Sequence, residues 1–365
     1  MYRCHHCGAE TNDPAAWVRA ICTYNSELGW FCPACARAMR DLNKLARCES
    51  CGLLFVADTG GNISNSGCLC NRCINDGLGY CAECGCLTDD LDESDLCVDC
   101  RDSQITDDCQ EDDEEYNEDR RWIHEYGFTP GSLSFHRYAT EDSKTDPYLG
   151  FELEVDSPDG THPDINRLAR GVTCPDISWC KHDGSLGRGF EMVSHPMTLG
   201  KHKVMSWPWR VRHLIYGGVR SYECSTCSMH VHVNREFLRR GQWFLLDDWL
   251  SDNMDFVVKV AQRHSTQYAK FHSDMTDETF SSTRAGSHRY AAINFENANT
   301  IEFRIFRGTL RAYILFKNLE FVDALVRFFK FEREHCLPSF LEFCAQQPAR
   351  YAELLEFFKE KRLSE

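Results

Sequence analysis

Six Cys-x-x-Cys pairs crowd the first hundred residues: Cys4/Cys7, Cys32/Cys35, Cys48/Cys51, Cys70/Cys73, Cys81/Cys84 and Cys97/Cys100. No other feature constrains the folding of this chain as strongly. Two cysteines three apart in a tight knuckle direct both sulfurs at one ion, and a second knuckle completes a tetrahedron with Zn–S distances of about 2.3 Å. Taken in order, the pairs make three successive four-thiolate sets, so about three structural Zn²⁺ ions are expected. The surrounding sequence is polar, Gly-rich and poor in large apolar residues. Such a stretch does not fold unaided, and a structural zinc supplies about 10–16 kcal/mol per site. Redox Cys-x-x-Cys motifs would need a βαβ pattern around them, which this region lacks.

Cys22, Cys68, Cys86 and Cys109 are left over; Cys68 could replace Cys70, and His5 or His6 could replace a thiolate in the first set. The stretch "WFCPACARAMRDLNKLAR" reads as a knuckle running into a helix and resembles treble-clef zinc modules. The start, "MYRCHHCGAE", shows no apolar segment behind a basic flank, and no apolar run approaches the roughly 20 residues of a membrane span. A reducing, cytoplasmic milieu without membrane insertion is therefore expected, with metal rather than disulfides occupying the cysteines.

Charge divides the chain into three. Residues 1–101 carry 8 basic and 14 acidic side chains, residues 102–121 carry 2 and 10, and residues 122–365 carry 30 and 32. The middle run, "DSQITDDCQEDDEEYNEDR", has too few apolar residues for a core and reads as a solvated linker. An acidic head on a more acidic tether lacks the electrostatic footprint of a nucleic-acid binder, although the first module leans basic through Arg3, Arg19, Arg37, Arg40, Lys44 and Arg47. Protein docking is the favoured role for the head.

From about residue 122 the texture changes to alternating strands and amphipathic helices. Residues two apart share one face of a strand. In "YLGFELEVD", Glu152 and Glu154 oppose Phe151, Leu153 and Val155; in "SMHVHVN", His230 and His232 oppose Met229, Val231 and Val233; in "NTIEFRIFRGTL", Glu302 and Arg304 share a face. A single strand of this kind ordinarily means a solvated surface. Such surfaces favour Lys, Thr, Ser and Gln, however, whereas these polar faces are almost purely Glu, His and Arg. Carboxylates two residues apart stand about 6.6–7 Å from one another, so they reach two neighbouring cations. Glu with one or two His suits Mg²⁺ or Mn²⁺ bound with a polyphosphate. It suits zinc hydrolysis less well, since the helical His-Glu-x-x-His arrangement is absent, and no P-loop sequence is present either.

In order along the chain, "GFELE", "DGSL" followed by "GFEMVSHP", "SMHVHVN", "RYAAIN" and "TIEFRIFRGTL" resemble the motif series of the amidoligase family. That family belongs to the glutamine synthetase and glutamate–cysteine ligase superfamily of carboxylate–amine ligases. The resemblance spans roughly residues 146–330, about half the chain, and leaves the cysteine-rich head outside. It implies an α+β fold: a curved antiparallel sheet with flanking helices, binding ATP and divalent ions on its concave face and preceded here by small zinc-stabilised modules. It further implies that ATP phosphorylates a carboxylate and that an amine then attacks the acyl phosphate to form an amide. By the same resemblance Glu152 and Glu154 divide between metal sites, Glu191 is a later metal-binding acid, and His230 and Glu302 hold the ion bridging the ATP phosphates. Arg304 would meet the transferred phosphoryl group or the carboxylate substrate. Asp183 and Arg289 are further candidates for the chemistry, and His232, Ser185, Asn294 and Arg307 for contacts with the nucleotide.

The domain reading is therefore residues 1–101 as three Cys₄ modules, 102–121 as linker and 122–365 as a ligase-like body. "LFKNLEFVDALVRFFKFE" and "SFLEFCAQQPARYAELLEFFKEK" have helical periodicity and are expected to pack on the convex face of the sheet. Cys174, Cys180, Cys224 and Cys227 could form a fourth zinc site, though small partly buried residues beside turns are the simpler reading. Three functions follow from different classes: an ATP-dependent ligase with a macromolecular substrate such as a protein or peptide, an adaptor with an inactive body, and a zinc hydrolase using His230 and His232. The presence of every acid, the histidine and the arginine favours the ligase.

Overall fold

The computed structural model describes residues 1–80 apart from 24, 49, 52, 58 and 64–67, the short pieces 87–88 and 91, and residues 122–363 apart from 159, 223, 225, 265–267 and 286–288. Cys81, Cys84, Cys97 and Cys100, the expected third zinc set, and the acidic stretch 102–121 lie outside the described residues. Packing divides the chain into two units, Met1–Arg121 with Val204–His213, and Trp122–Lys203 with Leu214–Glu365. Val204–His213 thus groups with the first unit, whereas the charge and texture of the sequence assign it to the body.

The first unit is built from short strands. β1 (Tyr2–Arg3) pairs with β2 (Glu10–Thr11); β3 (Val18–Ile21), β4 (Leu28–Phe31), β5 (Leu45–Arg47) and β6 (Leu54–Val56) form a sheet of order β4-β3-β6-β5. β7 (Gly61–Ile63) pairs with β8 (Cys68–Cys70), and β9 (Gly79–Tyr80) with β10 (Leu87–Thr88). Strand alternation feeds two small cores. Ala20 and Leu45 pack with Phe31 and Ala36, while their neighbours Ile21 and Ala46 pack with Phe55, Leu69 and Cys70. Gly60 is required where the two sheets approach, since a Cβ there would lie 1.8 Å from the Ile21 carbonyl oxygen. These cores hold few large side chains, as expected of a unit that depends on bound metal.

The second unit is organised on one seven-stranded sheet. Its strands are β11 (Ile123–His124), β12 (Leu149–Val155), β13 (Ser178–Lys181), β14 (Phe190–Ser194), β15 (Ser228–Asn234), β16 (Ile293–Asn294) and β17 (Thr300–Arg307), in the order β11-β13-β14-β12-β15-β17-β16. The edge pair β11/β13 is parallel and every other pairing is antiparallel, so the sheet is mixed. The architecture is α+β, with open sheets and no closed barrel among the described residues.

One face of this sheet is apolar and fully buried, through Phe151, Leu153, Val155, Met192, Met229, Val231, Ile301, Phe303 and Phe306. The helix Ala312–Phe331 packs on that face: Phe321 meets Phe306, and Asn318 Nδ2 reaches Met229 Sδ at 3.3 Å. Helices Leu337–Ala345 and Ala352–Lys361 pack against this long helix. Its burial on nearly all sides follows from that arrangement. Among the described residues no helix is long and apolar enough to cross a membrane.

A register shift in the β15/β17 pairing, between Met229 and Val231, corrects the phase of β17. Met229 pairs with Phe306 and Val231 with Phe303, so His230 on β15 opposes two residues, Arg304 and Ile305, on β17. This bulge lets Phe303 and Phe306, an odd spacing apart, both face the apolar side.

Candidate functional site

Both cysteine sets within the described residues assemble as their spacing predicts. The Sγ atoms of Cys4, Cys7, Cys32 and Cys35 lie within 4.8 Å of one another, as do those of Cys48, Cys51, Cys70 and Cys73. Sulfurs at the corners of a tetrahedron with 2.3 Å bonds stand about 3.8 Å apart. Cys7–Cys32, Cys48–Cys73 and Cys51–Cys70 are separated by 3.7, 3.6 and 3.6 Å. In each set the later pair is placed by a helix: Cys32 is the N-cap of Pro33–Asp41, and Cys70 that of Asn71–Asn75. Pro33, at the first helical position, has no N–H to leave unsatisfied there.

The crowded thiols of these sets are perturbed in opposite directions. Burial pushes the Cys4 thiol up, but the backbone N–H groups of Cys32, Cys7 and His6 outweigh it and hold it at about 6. Burial and neighbouring thiols push Cys35 in the opposite direction, and burial with the Cys48 charge pushes Cys73 up to about 11. Four thiolates cannot share so small a volume without a positive ion at its centre, and both sets can hold a structural zinc. Cys68 stands apart from the second set, its thiol 3.4 Å from the Met205 carbonyl of the same unit. His5 and His6 do not enter the first.

In the second unit the polar face of the sheet gathers residues from six strands. Antiparallel partners project to the same side, so the register sets Glu152 opposite His230, Glu154 opposite Glu191, Glu191 opposite Lys181, and Glu302 opposite His232 and Asn294. Gly189 permits this register. A Cβ there would lie 1.9 Å from the Val155 carbonyl oxygen, so only glycine lets β14 enter beside the end of β12.

Two three-ligand groups result, one of Glu152, His230 and Glu302, the other of Glu154, Asp183 and Glu191. Within each, one ligand atom per residue lies within 4.8 Å of the others. In the first, His230 Nδ1 stands 3.4 Å from Glu152 Oε2 and 3.2 Å from Glu302 Oε1. Glu302 also receives Arg304 Nη1 at 2.5 Å and Asn294 Nδ2 at 2.7 Å. In the second, Glu154 Oε2 accepts from Ser228 N at 2.5 Å and Ser228 Oγ at 2.8 Å, and Asp183 Oδ1 accepts from Ser185 N at 2.7 Å.

Ser228 joins the two groups. Its one hydroxyl proton goes to Glu154, so its oxygen accepts from His230 Nε2–H at 2.8 Å. His230 Nδ1 is thereby directed at Glu152 and Glu302: protonated it serves both carboxylates, and without its proton it is the nitrogen that can ligate an ion.

The ionisation pattern is that of a crowded, dry acid cluster. Burial raises Glu152, but the charges of His232 and Lys181, with hydrogen bonding from His230, hold it well below the usual carboxylate range. Burial likewise opposes ionisation of Glu302, and His230, His232 and Arg304 overcome it. Burial, reinforced by repulsion from Glu152, pushes Glu191 well above that range. Glu191 Oε1 and His232 Nε2 are buried without a hydrogen bond and keep only ionic contacts, at 3.2 Å to Lys181 and 3.5 Å to Glu152. Buried polar atoms left so poorly satisfied fit a site whose remaining valences go to bound ions. Oxygen-rich groups with a single imidazole match hard divalent cations, Mg²⁺ or Mn²⁺.

The remaining predicted residues take varied places. His232 shares the face, with Nδ1 3.3 Å from Thr300 Oγ1, but stands outside both ligand groups. Arg307 turns to Tyr222, donating to its carbonyl at 2.9 Å with the guanidinium 3.9 Å from the ring centre. Arg289 donates to Tyr126 Oη at 2.9 Å and acts on Glu302 only at longer range. Ser185 is exposed and serves the Asp183 turn. Among the described residues no ligand group includes Cys174, Cys180, Cys224 or Cys227.

Sequence reasoning missed Lys181, Ser228 and Arg263. Ser228 was available from the same two-residue period that exposed His230 and His232. Lys181 ends β13 two residues before Asp183, and only its pairing with Glu191 reveals its place. Arg263 donates to the Arg304 carbonyl at 3.0 Å and gave no sequence signal. Compared with known proteins, the chain matches no family model and no curated protein.

Proposed function

We propose that the body is an ATP-dependent carboxylate–amine ligase. The observation that carries this reading is the division of Glu152 and Glu154, two apart on one strand face, between two adjacent ligand groups. Ions that close together serve a polyphosphate better than a single hydrolytic water. Glu152, His230 and Glu302 would hold one divalent ion, and Glu154, Asp183 and Glu191 another. Such ions, when bound, neutralise charge on the phosphate oxygens.

The protein's own part is positioning and electrostatics. The γ-phosphoryl passes to the substrate carboxylate as its bond to the ADP oxygen breaks. The amine nitrogen then forms the C–N bond, inorganic phosphate leaves, and the surplus proton goes to solvent. Arg304, fixed against Glu302 and by its Nε to the Tyr268 carbonyl at 3.2 Å, supplies positive charge where the phosphate oxygens gain electrons. No side-chain nucleophile is needed, because phosphorylation itself activates the carboxyl group. The cysteine-rich head docks a protein partner or substrate, in keeping with its acidic balance.

The test is incubation of zinc-loaded protein with ATP, Mg²⁺, hydroxylamine and a pool of amino acids and peptides. Hydroxamate formation with matching ADP release, lost in Glu302→Gln of unchanged melting temperature, supports the ligase. Absence of nucleotide binding in the presence of Mn²⁺ overturns it in favour of an adaptor.

A further inference from the structure

Between the two acid groups stands a cation that the ligase reading does not use. Lys181 Nζ lies 3.4 Å from Glu152 Oε1 and 3.2 Å from Glu191 Oε1, one carboxylate from each group. Its side chain is 16% exposed, so little solvent screens these contacts. The arginines around the face are engaged differently: Arg304 holds Glu302 and the Tyr268 carbonyl, Arg263 donates to the Arg304 carbonyl, and Arg307 and Arg289 turn to tyrosines. Among the described residues Lys181 is the lysine or arginine that contacts a carboxylate of each group.

We infer that Lys181 is a built-in monovalent cation that limits the nucleotide-free site to one divalent ion, the second entering only with the nucleotide's phosphates. This inference rests on the divalent-ion reading above. The geometry explains why. Glu152 belongs to one group and Glu191 to the other, and Mg²⁺ or Mn²⁺ binds carboxylate oxygen at about 2.1 Å. With both groups filled, an ion on each side would face an ammonium already within 3.4 Å of the ligating carboxylates. At low dielectric that repulsion is strong. One ion leaves Lys181 free to lean toward the other group; two do not. A polyphosphate changes the balance, because its oxygens bring the extra negative charge that holds a second ion and give the ammonium a new partner. Lys181 is thus a positioning residue that orders the loading of the site.

The experiment is Mn²⁺ titration of the zinc-loaded full chain, followed by calorimetry and by the electron paramagnetic resonance signal of free Mn²⁺. Wild type is expected to bind about one Mn²⁺ without nucleotide and about two with a non-hydrolysable ATP analogue. Lys181→Met is expected to bind about two without nucleotide, and Lys181→Arg, which keeps the charge, about one. Far-ultraviolet circular dichroism confirms that each variant is folded. Two Mn²⁺ ions in nucleotide-free wild type, or one in folded Lys181→Met, overturns the role of Lys181 while leaving the ligase reading standing. No Mn²⁺ in wild type or either variant overturns both.

Discussion

Ser228 Oγ lies 2.8 Å from His230 Nε2, and this contact decides which imidazole nitrogen is left for an ion. The hydroxyl proton is committed to Glu154, so the histidine must donate through Nε2. Removing the hydroxyl frees the ring to change tautomer and to turn. Ser228→Ala is therefore expected to weaken Mn²⁺ binding by about 10–100-fold, the usual effect of losing a group that orients a ligand. The fold should survive, because Glu154 Oε2 keeps the Ser228 backbone N–H at 2.5 Å, with a stability loss of about 1–3 kcal/mol. Unchanged Mn²⁺ affinity in this variant rules out the tautomer argument.

Lys317 sets a pH dependence of stability. It is fully buried in the Ala312–Phe331 helix, with Nζ 2.5 Å from the Val260 carbonyl and 4.7 Å from the centre of the Phe357 ring. Burial pushes its ammonium down to about 7 from an ordinary 10.5, with Glu320 offsetting only part of the cost. Between those values the unfolded chain carries a proton that the native chain lacks, so stability rises with pH across that window. Below about pH 7 the full penalty applies, on the order of 5 kcal/mol. Lys317→Met is expected to raise stability near pH 7 and to flatten its slope up to about pH 10. Urea unfolding at several pH values measures both; equal slopes for wild type and variant would contradict the assignment.

Much of the site was legible because its periodicity is local. Glu152/Glu154 and His230/His232 declare a shared face from three consecutive residues, and the cysteine pairs declare their knuckles from four. What escaped depends on pairing between distant strands. "SWCK" looks like an ordinary buried strand until its end is set opposite Glu191, which places Lys181. The bulge in β17 was equally hidden, since its only trace is the uneven spacing of Phe303 and Phe306. The choice between Cys68 and Cys70 illustrates the same limit. Both lie on β8 two residues apart, and Cys70 is selected because it caps the helix that carries Cys73. The grouping of Val204–His213 with the first unit had no local signature at all.

Asp323 carries a buried network that holds the C-terminal helices. Its two oxygens accept from Arg350 Nε and Nη2, each at 2.8 Å, and Tyr351 Oη donates at 3.0 Å. Arg350 Nη1 continues to Asp146 at 2.8 Å, which Arg327 also meets at 2.8 Å. Deleting the central acid removes both of its bonds to the partly buried Arg350 guanidinium, which keeps only Asp146 and Glu141, and takes the acceptor from Tyr351 Oη, a loss of about 3–5 kcal/mol. Asp323→Ala should lower the melting temperature sharply, whereas Tyr351→Phe, which removes a single donor, should cost about 0.5–1.5 kcal/mol. Chemical denaturation of the two variants checks the ranking. A smaller loss for Asp323→Ala than for Tyr351→Phe would show that the network is not centred on the acid.

The four-cysteine sets make a sharper test than metal content alone, because they divide neighbouring cysteines into ligands and bystanders. Cys73 belongs to the second set, while Cys68 directs its thiol at the Met205 carbonyl. Cys73→Ser should lose about one zinc per chain, and Cys35→Ser about one from the first set. Cys68→Ser should keep the full complement, since among the described residues its sulfur belongs to no ligand group. Each lost zinc withdraws about 10–16 kcal/mol from a unit whose cores are too small to compensate, so the two ligand variants should also expose their first hundred residues to protease. The body, with its own seven-stranded sheet and apolar core, should keep its melting transition. Elemental analysis together with limited proteolysis reads both effects. Equal zinc loss in Cys68→Ser and Cys73→Ser would mean that the ligands are chosen differently from the geometry described.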